Sequence, residues 1–254
     1  MKIKYDQIGN STYTITINEE LKFALDPALA EAGSDLGFGI KRKTSPVYNE
    51  QTFSGVDFWL ITHLHGDHLD ELGMEKMEKS TPVITHEKYT AKFSKENFAS
   101  VTGLAWKEVT TLKIKDYTIQ VKAVPAYHGH SKLIVALMQK VNGYMVEISK
   151  DSETKTIYVG SDTVFNEKVK DSLSGTSNVD LFIATAGAAK SPLPLTRKPI
   201  TMTVNEVSHF SKWLNASKTI VIHIDDYSHF TSNREEAKKE FVAPINGEIL
   251  NFEI

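Results

Sequence analysis

The sequence predicts an α/β fold in which sheets are covered by helices. Short apolar runs rich in Val, Ile, Phe and Tyr recur along the chain, helical patterns fall between them, and several of the apolar runs stop at a histidine or an aspartate. At 254 residues the chain can bury a sizeable core, and large α/β folds of this length often form one domain. We therefore read 1–254 as one domain.

The strand-like runs are, in order, "STYTITI" (11–17), "KFALDP" (22–27), "DFWLIT" (57–62), "PVITH" (82–86), "TLKI" (111–114), "YTIQVKAVPA" (117–126), "KLIVALMQ" (132–139), "GYMVEIS" (143–149), "KTIYVGS" (155–161), "DLFIATAG" (180–187), "KTIVIHI" (218–224) and "EILNFEI" (248–254). Helical patterns occupy 68–80, 165–173, 202–215 and 232–242. The last two open with capping-box spacing, Thr203 with Glu206 and Ser232 with Glu235. Between the second and third strand runs, "AGSDLGFGIKRKTSPVYNEQ" (32–51) is a polar insertion that predicts an irregular loop.

Composition removes several function classes. Lysine and arginine total 29 against 32 acidic residues, a net charge of -3, so there is no global basic field for nucleic acid or an anionic membrane. The absence of cysteine excludes disulfides, thiolate ligands and a cysteine nucleophile, so a metal must be held by histidine and carboxylate. The first residues alternate polar and apolar, and no long apolar run follows. The expected setting is cytoplasmic and the expected partner a small molecule.

The chemistry concentrates at "THLHGDHLD" (62–70), directly after "VDFWLI". A chance match to HxHxDH in a chain this long is well below roughly one in a hundred. That run ends at His63, the run from 117 ends at His128, the run from 155 ends at Asp162, and "KTIVI" ends at His223. In layered α/β folds the carboxyl ends of neighbouring strands share a rim, and the loops leaving it assemble sites. His63 and His65 project to one side of an extended turn, and with His128 they make a three-nitrogen site. Asp67, His68 and His223 make a second, with Asp162 able to bridge the two through its two oxygens. Gly66 is expected to let the backbone turn between the pairs.

The remaining histidines fall into other roles. His86 reads as structural or surface, and His209 as packed at the edge of the apolar face formed by Val207, Phe210, Trp213 and Leu214. His130 could substitute for His128, but His128 lies nearer the end of its apolar run. In "HIDDYSHF", His229 could face the site as a proton donor or substrate contact, while Asp225 and Asp226 read as solvent-facing turn residues.

"THLHGDH", "VPAYHGHS", "VGSDT" and "VIHIDDYSHF", in that order and at these separations, resemble the metallo-β-lactamase-fold superfamily. The resemblance runs nearly end to end. "IGNSTYTITINEELKFALDPAL" is similar to its opening hairpin, and "DPALAEAGS", "PLPLTRKPITMT" and the closing loop are most similar to its L-ascorbate-6-phosphate lactonase-like branch of metal-dependent hydrolases, which also resembles N-acylphosphatidylethanolamine phospholipase D. The resemblance implies a four-layer αββα sandwich with the metals at one edge of the sheets. It also implies ligand roles for His63, His65, Asp67, His68, His128, Asp162 and His223. One departure is Ser161, which stands between Gly160 and Asp162 where the superfamily commonly has glycine directly before the aspartate.

The activity expected of such a site is hydrolysis of an ester, lactone or phosphoester-type bond by a hydroxide bridging two divalent ions. Asp67 would orient that hydroxide and accept its proton, and His229 or Tyr227 would protonate the leaving group. Nitrogen and oxygen ligands suit zinc first, then manganese or iron. The alternatives are a binding or sensing protein of the same fold without turnover, and a di-iron redox module, which typically carries a carboxylate at the position of His65 and a flavin domain. Lys41, Arg42, Lys43, Arg197 and Lys198 are loop cations that read as solvated charge. No residue in the sequence selects a substrate.

Overall fold

The computed structural model describes residues 1–254 except Ser177, Pro192, Leu193 and Leu195. Three of these belong to the "PLPLTRKPITMT" stretch, so that part of the resemblance lies outside the described residues. The first sheet contains β1 (Lys2–Gly9), β2 (Thr12–Ile17), β3 (Leu21–Leu25), β4 (Phe58–Leu60), β5 (Val83–His86) and β6 (Val101–Leu104). The second contains β7 (Val109–Ile114), β8 (Tyr117–Ala126), β9 (Val141–Lys150), β10 (Glu153–Val159), β11 (Leu181–Thr185) and β12 (Lys218–Ile222). The last strand, β13 (Ile249–Glu253), returns to pair with β1, giving sheets of 7 and 6 strands.

Side-chain alternation along the strands builds the layers. Phe23 and Leu25 of β3, Phe58 and Leu60 of β4, Ile183 of β11 and Ile220 and Ile222 of β12 meet in one cluster between the sheets. Their neighbours point the other way. Ala24, Trp59 and Val83 pack outward against Met74, Met77 and Phe93, which belong to or follow α1 (Glu71–Lys76) and α2 (Thr90–Lys95). On the opposite side Phe182 and Val221 pack against Val169 of α4 (Glu167–Ser172) and Val207 and Phe210 of α5 (Val204–Trp213). The result is the four-layer αββα sandwich. Burial of both faces explains why these strands read as continuous apolar runs instead of polar and apolar alternation.

Strand direction places the site. β3, β4, β5 and β6 are mutually parallel, as are β10, β11 and β12. β8 is antiparallel to β9, which is antiparallel to β10, so β8 and β10 run the same way. The segments after β8, β10 and β12 therefore leave from one edge of the second sheet. Across the sandwich, Asn142 N donates to Thr62 O at 3.1 Å and Tyr144 Oη donates to Ile61 O at 2.8 Å, joining the end of β4 to that same edge.

Several local expectations are corrected. "KLIVALMQ" forms α3 (Lys132–Leu137) and not a strand. Ser131 caps it, accepting from Ile134 N at 3.2 Å, and β8 pairs directly with β9, leaving this segment no strand edge to join. The second capping box is also displaced. Asn233 caps α6 (Arg234–Ala237), accepting from Glu236 N, so the Ser232 and Glu235 spacing is not used. The Thr203 box forms with both of its hydrogen bonds. β1, β6 and α2 were not anticipated. His209 is exposed and not at the edge of a packed face, because a helical step of about 100° turns it away from Val207, Phe210 and Leu214. Trp213 is 40% exposed. Residues 32–51 form the expected irregular loop, apart from isolated bridges at Asp35, Lys41 and Arg42. Among the described residues, no helix is long and apolar enough to cross a membrane.

Candidate metal centre

The loop after β4 is held from several sides, which fixes the histidines it carries. His68 N and Leu69 N both donate to His65 O at 2.9 Å, turning the chain toward α1, where Asp70 caps the helix by accepting from Gly73 N. Asn10 and Ser11 both donate to Asp67 O, at 2.8 and 2.6 Å, and Leu64 N donates to Gln139 Oε1 at 2.9 Å. Gly66 has none of the positive-φ geometry expected of it. A Cβ there would lie 2.9 Å from Leu36 Cδ2, the end of a side chain that would have to shift.

The predicted ligands converge into two overlapping groups. His63, His65, His128 and Asp162 form one, and Asp67, His68, Asp162 and His223 the other; within each, one ligand atom per residue lies within 4.8 Å of all the others. Asp162 belongs to both. Its Oδ1 lies 3.4 Å from His68 Nε2 and 3.6 Å from His223 Nε2, while its Oδ2 lies 3.4 Å from His128 Nε2 and 4.0 Å from His63 Nε2. Asp67 Oδ2 is 3.1 Å from His223 Nε2. His130 is exposed and stands apart, in a surface cleft with Trp106 and Tyr127. His86 is also outside both groups, buried and accepting from Lys88 N.

The outer nitrogens of three of these histidines make contacts that suit a proton on the outer side of the ring. His68 Nδ1 lies 2.8 Å from Asp26 Oδ2, and His128 Nδ1 donates to Ile200 O at 2.9 Å. Thr62 Oγ1 donates to Asp26 Oδ2 at 2.6 Å and is therefore free to accept from His63 Nδ1 at 3.0 Å. These contacts leave the Nε2 atoms of His63, His68 and His128 facing the centre. His63 Nε2 then meets His65 Nδ1 at 3.0 Å, and the buried His68 Nε2 and Asp162 Oδ1 have no hydrogen-bond partner. Inward lone pairs, outward N–H groups and orphaned acceptors fit divalent cations.

Sequence reasoning passed over Asp26, which orients His68 and accepts from Thr62 N at 2.8 Å. It ends the apolar run of β3, so the strand-end pattern that marked the other residues would also have found it. Ser161, at the departure from the family pattern, has φ +54°, a left-handed conformation that favours glycine. His223 also turns left-handed, at φ +58°, immediately after β12.

Burial and charge set the protonation. Burial alone would raise Asp67 and Asp162, but the His223 hydrogen bond and the His68 charge on the former, and the His223, His68 and His128 charges on the latter, hold both far below the ordinary carboxylate range. Burial lowers His63 strongly and His65 to about 4. It also opposes a charge on His68, yet Asp162 and Asp26 overrule it and raise that histidine. The carboxylates thus favour positive charge at this centre, and a divalent cation would compete with the His68 proton.

A cavity of about 300 Å³ opens onto the cluster. His65, Asp67, His128 and Asp162 form its floor, and Leu36, Phe38, Ile40, Leu137, Met138 and Ile200 line it together with Gly66 and His229. His229 is partly buried, its Nδ1 has no hydrogen-bond partner, and burial lowers its pKa to about 4. Tyr227 does not contribute to the lining. It is fully buried beneath the Arg42 guanidinium, 5.5 Å from its ring centroid, and burial raises its phenol.

The neighbouring charges also differ from expectation. Arg42 is buried and not solvated, donating to Ala28 O and Thr44 O. Asp226 is likewise buried, 3.3 Å from Arg234 and accepting from Thr44 Oγ1. Asp225 accepts from Arg234 N at 2.9 Å. These pairs brace the loop that carries His229.

Residues 27–224 match the model of the Beta-lactamase superfamily domain. Among curated relatives, the UPF0173 protein YddR of Bacillus subtilis (strain 168) is 25% identical over 240 residues, covering 91% of this chain and 89% of its own. A UPF0173 metal-dependent hydrolase of Flavobacterium johnsoniae is 27% identical over 190 residues, 73% of each chain. Among solved structures, a possible metal-dependent hydrolase from Veillonella parvula DSM 2008 superposes with a TM-score of 0.83 at 20% identity, covering 98% of this chain and 99% of that one. Fold, order of motifs and family match agree: the chain belongs to the β-lactamase superfamily and has the metallo-β-lactamase fold.

Proposed function

We infer that this chain is a metal-dependent hydrolase that holds two divalent ions, zinc first among them, and cleaves an ester, lactone or phosphoester-type bond in a small molecule. The reading takes 1–254 as one domain acting in the cytoplasm. The observation that carries it is the sharing of Asp162, whose two oxygens face different histidines of two overlapping donor groups. The relatives named as metal-dependent hydrolases support the same class.

In this reading His63, His65 and His128 hold one ion, Asp67, His68 and His223 hold the other, and Asp162 contributes to both. When bound, such ions acidify water and polarise the bond to be cleaved. The chain's own groups supply the rest. Asp67 reaches the cavity floor with its carboxyl held ionised, so it can accept a hydrogen bond from the attacking water and orient it, while the same lowered pKa makes it a weak base for the proton. Asp26, Thr62 and Ile200 O hold the His68, His63 and His128 rings in orientation. His229 is the better placed of the two proposed leaving-group contacts, because Tyr227 is buried away from the cavity. Its lowered pKa leaves His229 neutral at pH 7, which favours a hydrogen bond to substrate over delivery of a stored proton.

The test is to load purified protein with zinc or manganese and assay 4-nitrophenyl acetate, a γ-lactone and bis(4-nitrophenyl) phosphate. Turnover of at least one that disappears with chelation and returns with metal is expected. A fully loaded protein inert toward all of them would favour the binding or sensing alternative.

A further inference from the structure

We propose that the cavity above the metal-ligand cluster selects a substrate whose group next to the scissile bond is uncharged and apolar. The proposal rests on the hydrolase reading and adds the substrate class. Its carrying observation is the contrast between the cavity's two surfaces: the floor is ligand side chains, while the wall is Leu36, Phe38, Ile40, Leu137, Met138 and Ile200. No lysine or arginine among the described residues lines it. Arg42, the nearest buried cation in sequence, is not among the lining residues: its Nε and Nη1 donate to Thr44 O and Ala28 O beside the Tyr227 ring. A phosphate or carboxylate tail lying against the wall, away from the floor, would therefore lose its hydration with no lysine or arginine beside it.

The wall is built to keep apolar side chains in water. Residues 34–42 form a small hairpin: Leu36 N donates to Ile40 O at 2.9 Å, Ile40 N to Gly37 O at 3.0 Å and Arg42 N to Ser34 O at 2.9 Å. Its base is tied to the His229 loop, where Lys41 N donates to Ser228 Oγ, Ser228 N to Lys41 O and Lys43 N to Asp226 O. At its tip Gly37, Phe38 and Gly39 have φ of +90°, +54° and +75°. Phe38 is thus held in a left-handed conformation with 78% of its surface exposed, and Leu137 of α3 is 56% exposed. A large apolar side chain kept exposed at a strained tip, over a cavity of about 300 Å³, has an explanation if a small apolar ligand covers it.

The experiment uses metal-loaded protein and two inert amides, N-hexylacetamide and 6-acetamidohexanoate, titrated by calorimetry. Phe38→Ser and Leu137→Ser serve as variants, with 4-nitrophenyl acetate hydrolysis followed in parallel. The neutral hexyl amide should bind more tightly than the carboxylate, and its affinity should grow by about fourfold per buried methylene across N-butyl, N-pentyl and N-hexyl acetamide. Each variant should weaken N-hexylacetamide by about tenfold while binding as much metal as the unmodified protein. Tighter binding of the carboxylate, no dependence on chain length, or no effect of either variant would overturn the proposal. Failure to hydrolyse 4-nitrophenyl acetate, the γ-lactone and bis(4-nitrophenyl) phosphate alike would count against the hydrolase reading alone, since the binding series decides the apolar wall independently.

Discussion

The floor and the wall of the cavity follow different structural rules. The floor is polar, almost fully buried, and built from residues that leave parallel-running strands at one edge of the sandwich. The wall is apolar, partly exposed, and built from an irregular hairpin and a helix of 6 residues. Rigid strand ends suit a cluster whose atoms must sit within tenths of an ångström of a fixed geometry, whereas short peripheral elements suit a surface that meets substrate. In the proposed reading the floor would supply the chemistry and the wall the selectivity.

The largest expected effect comes from the residue on which the floor is centred. Asp162→Ala removes the carboxylate that faces both donor groups, so hydrolysis should fall by about a thousandfold or more. Steady-state kinetics on the metal-loaded variant checks this, and activity within about tenfold of wild type would mean that the groups work separately. His223→Ala comes next. Metal analysis should show one ion lost together with activity, because His223 Nε2 faces both Asp67 and Asp162.

Asp67→Asn separates binding from chemistry within the floor. It keeps the shape and one oxygen but removes the charge, and the rate should drop by about a hundredfold. Full rate with both ions bound would remove Asp67 from the orientation of the attacking water. Asp26→Asn reaches the floor from behind. It weakens the hold on His68 Nδ1, and metal affinity should fall by about tenfold to a hundredfold in a chelator competition. His229→Ala, on the wall, should do least: both ions stay, and the rate or the substrate affinity falls by about tenfold. If His229→Ala lost an ion while His223→Ala stayed loaded, the two assignments would be exchanged.

The same division explains what the sequence made legible. Strand-end residues can be read because a continuous apolar run followed by His or Asp records both burial and direction, as at His63, His128, Asp162 and His223. Asp26 obeyed that pattern but stood alone in a Leu-Asp-Pro step with no neighbouring histidine to draw attention. The wall left no comparable record. "KLIVALMQ" has the composition of a buried strand, and only Ser131 hinted that a helix would start there. Arg42 and Asp226 looked like solvated loop charge because their burial depends on chain segments far away in sequence, Tyr227 for one and Thr44 for the other. The hairpin tip at Phe38 shows only as glycines on either side of an aromatic residue, a pattern shared with many flexible loops.

The most direct test of the two-group floor is metal stoichiometry. Protein stripped of metal, titrated with zinc and analysed for bound ion per chain, should saturate at two ions, and Asp162→Ala should retain no more than one. Saturation of the unmodified chain at one ion, or two ions held as tightly without Asp162, would contradict the account.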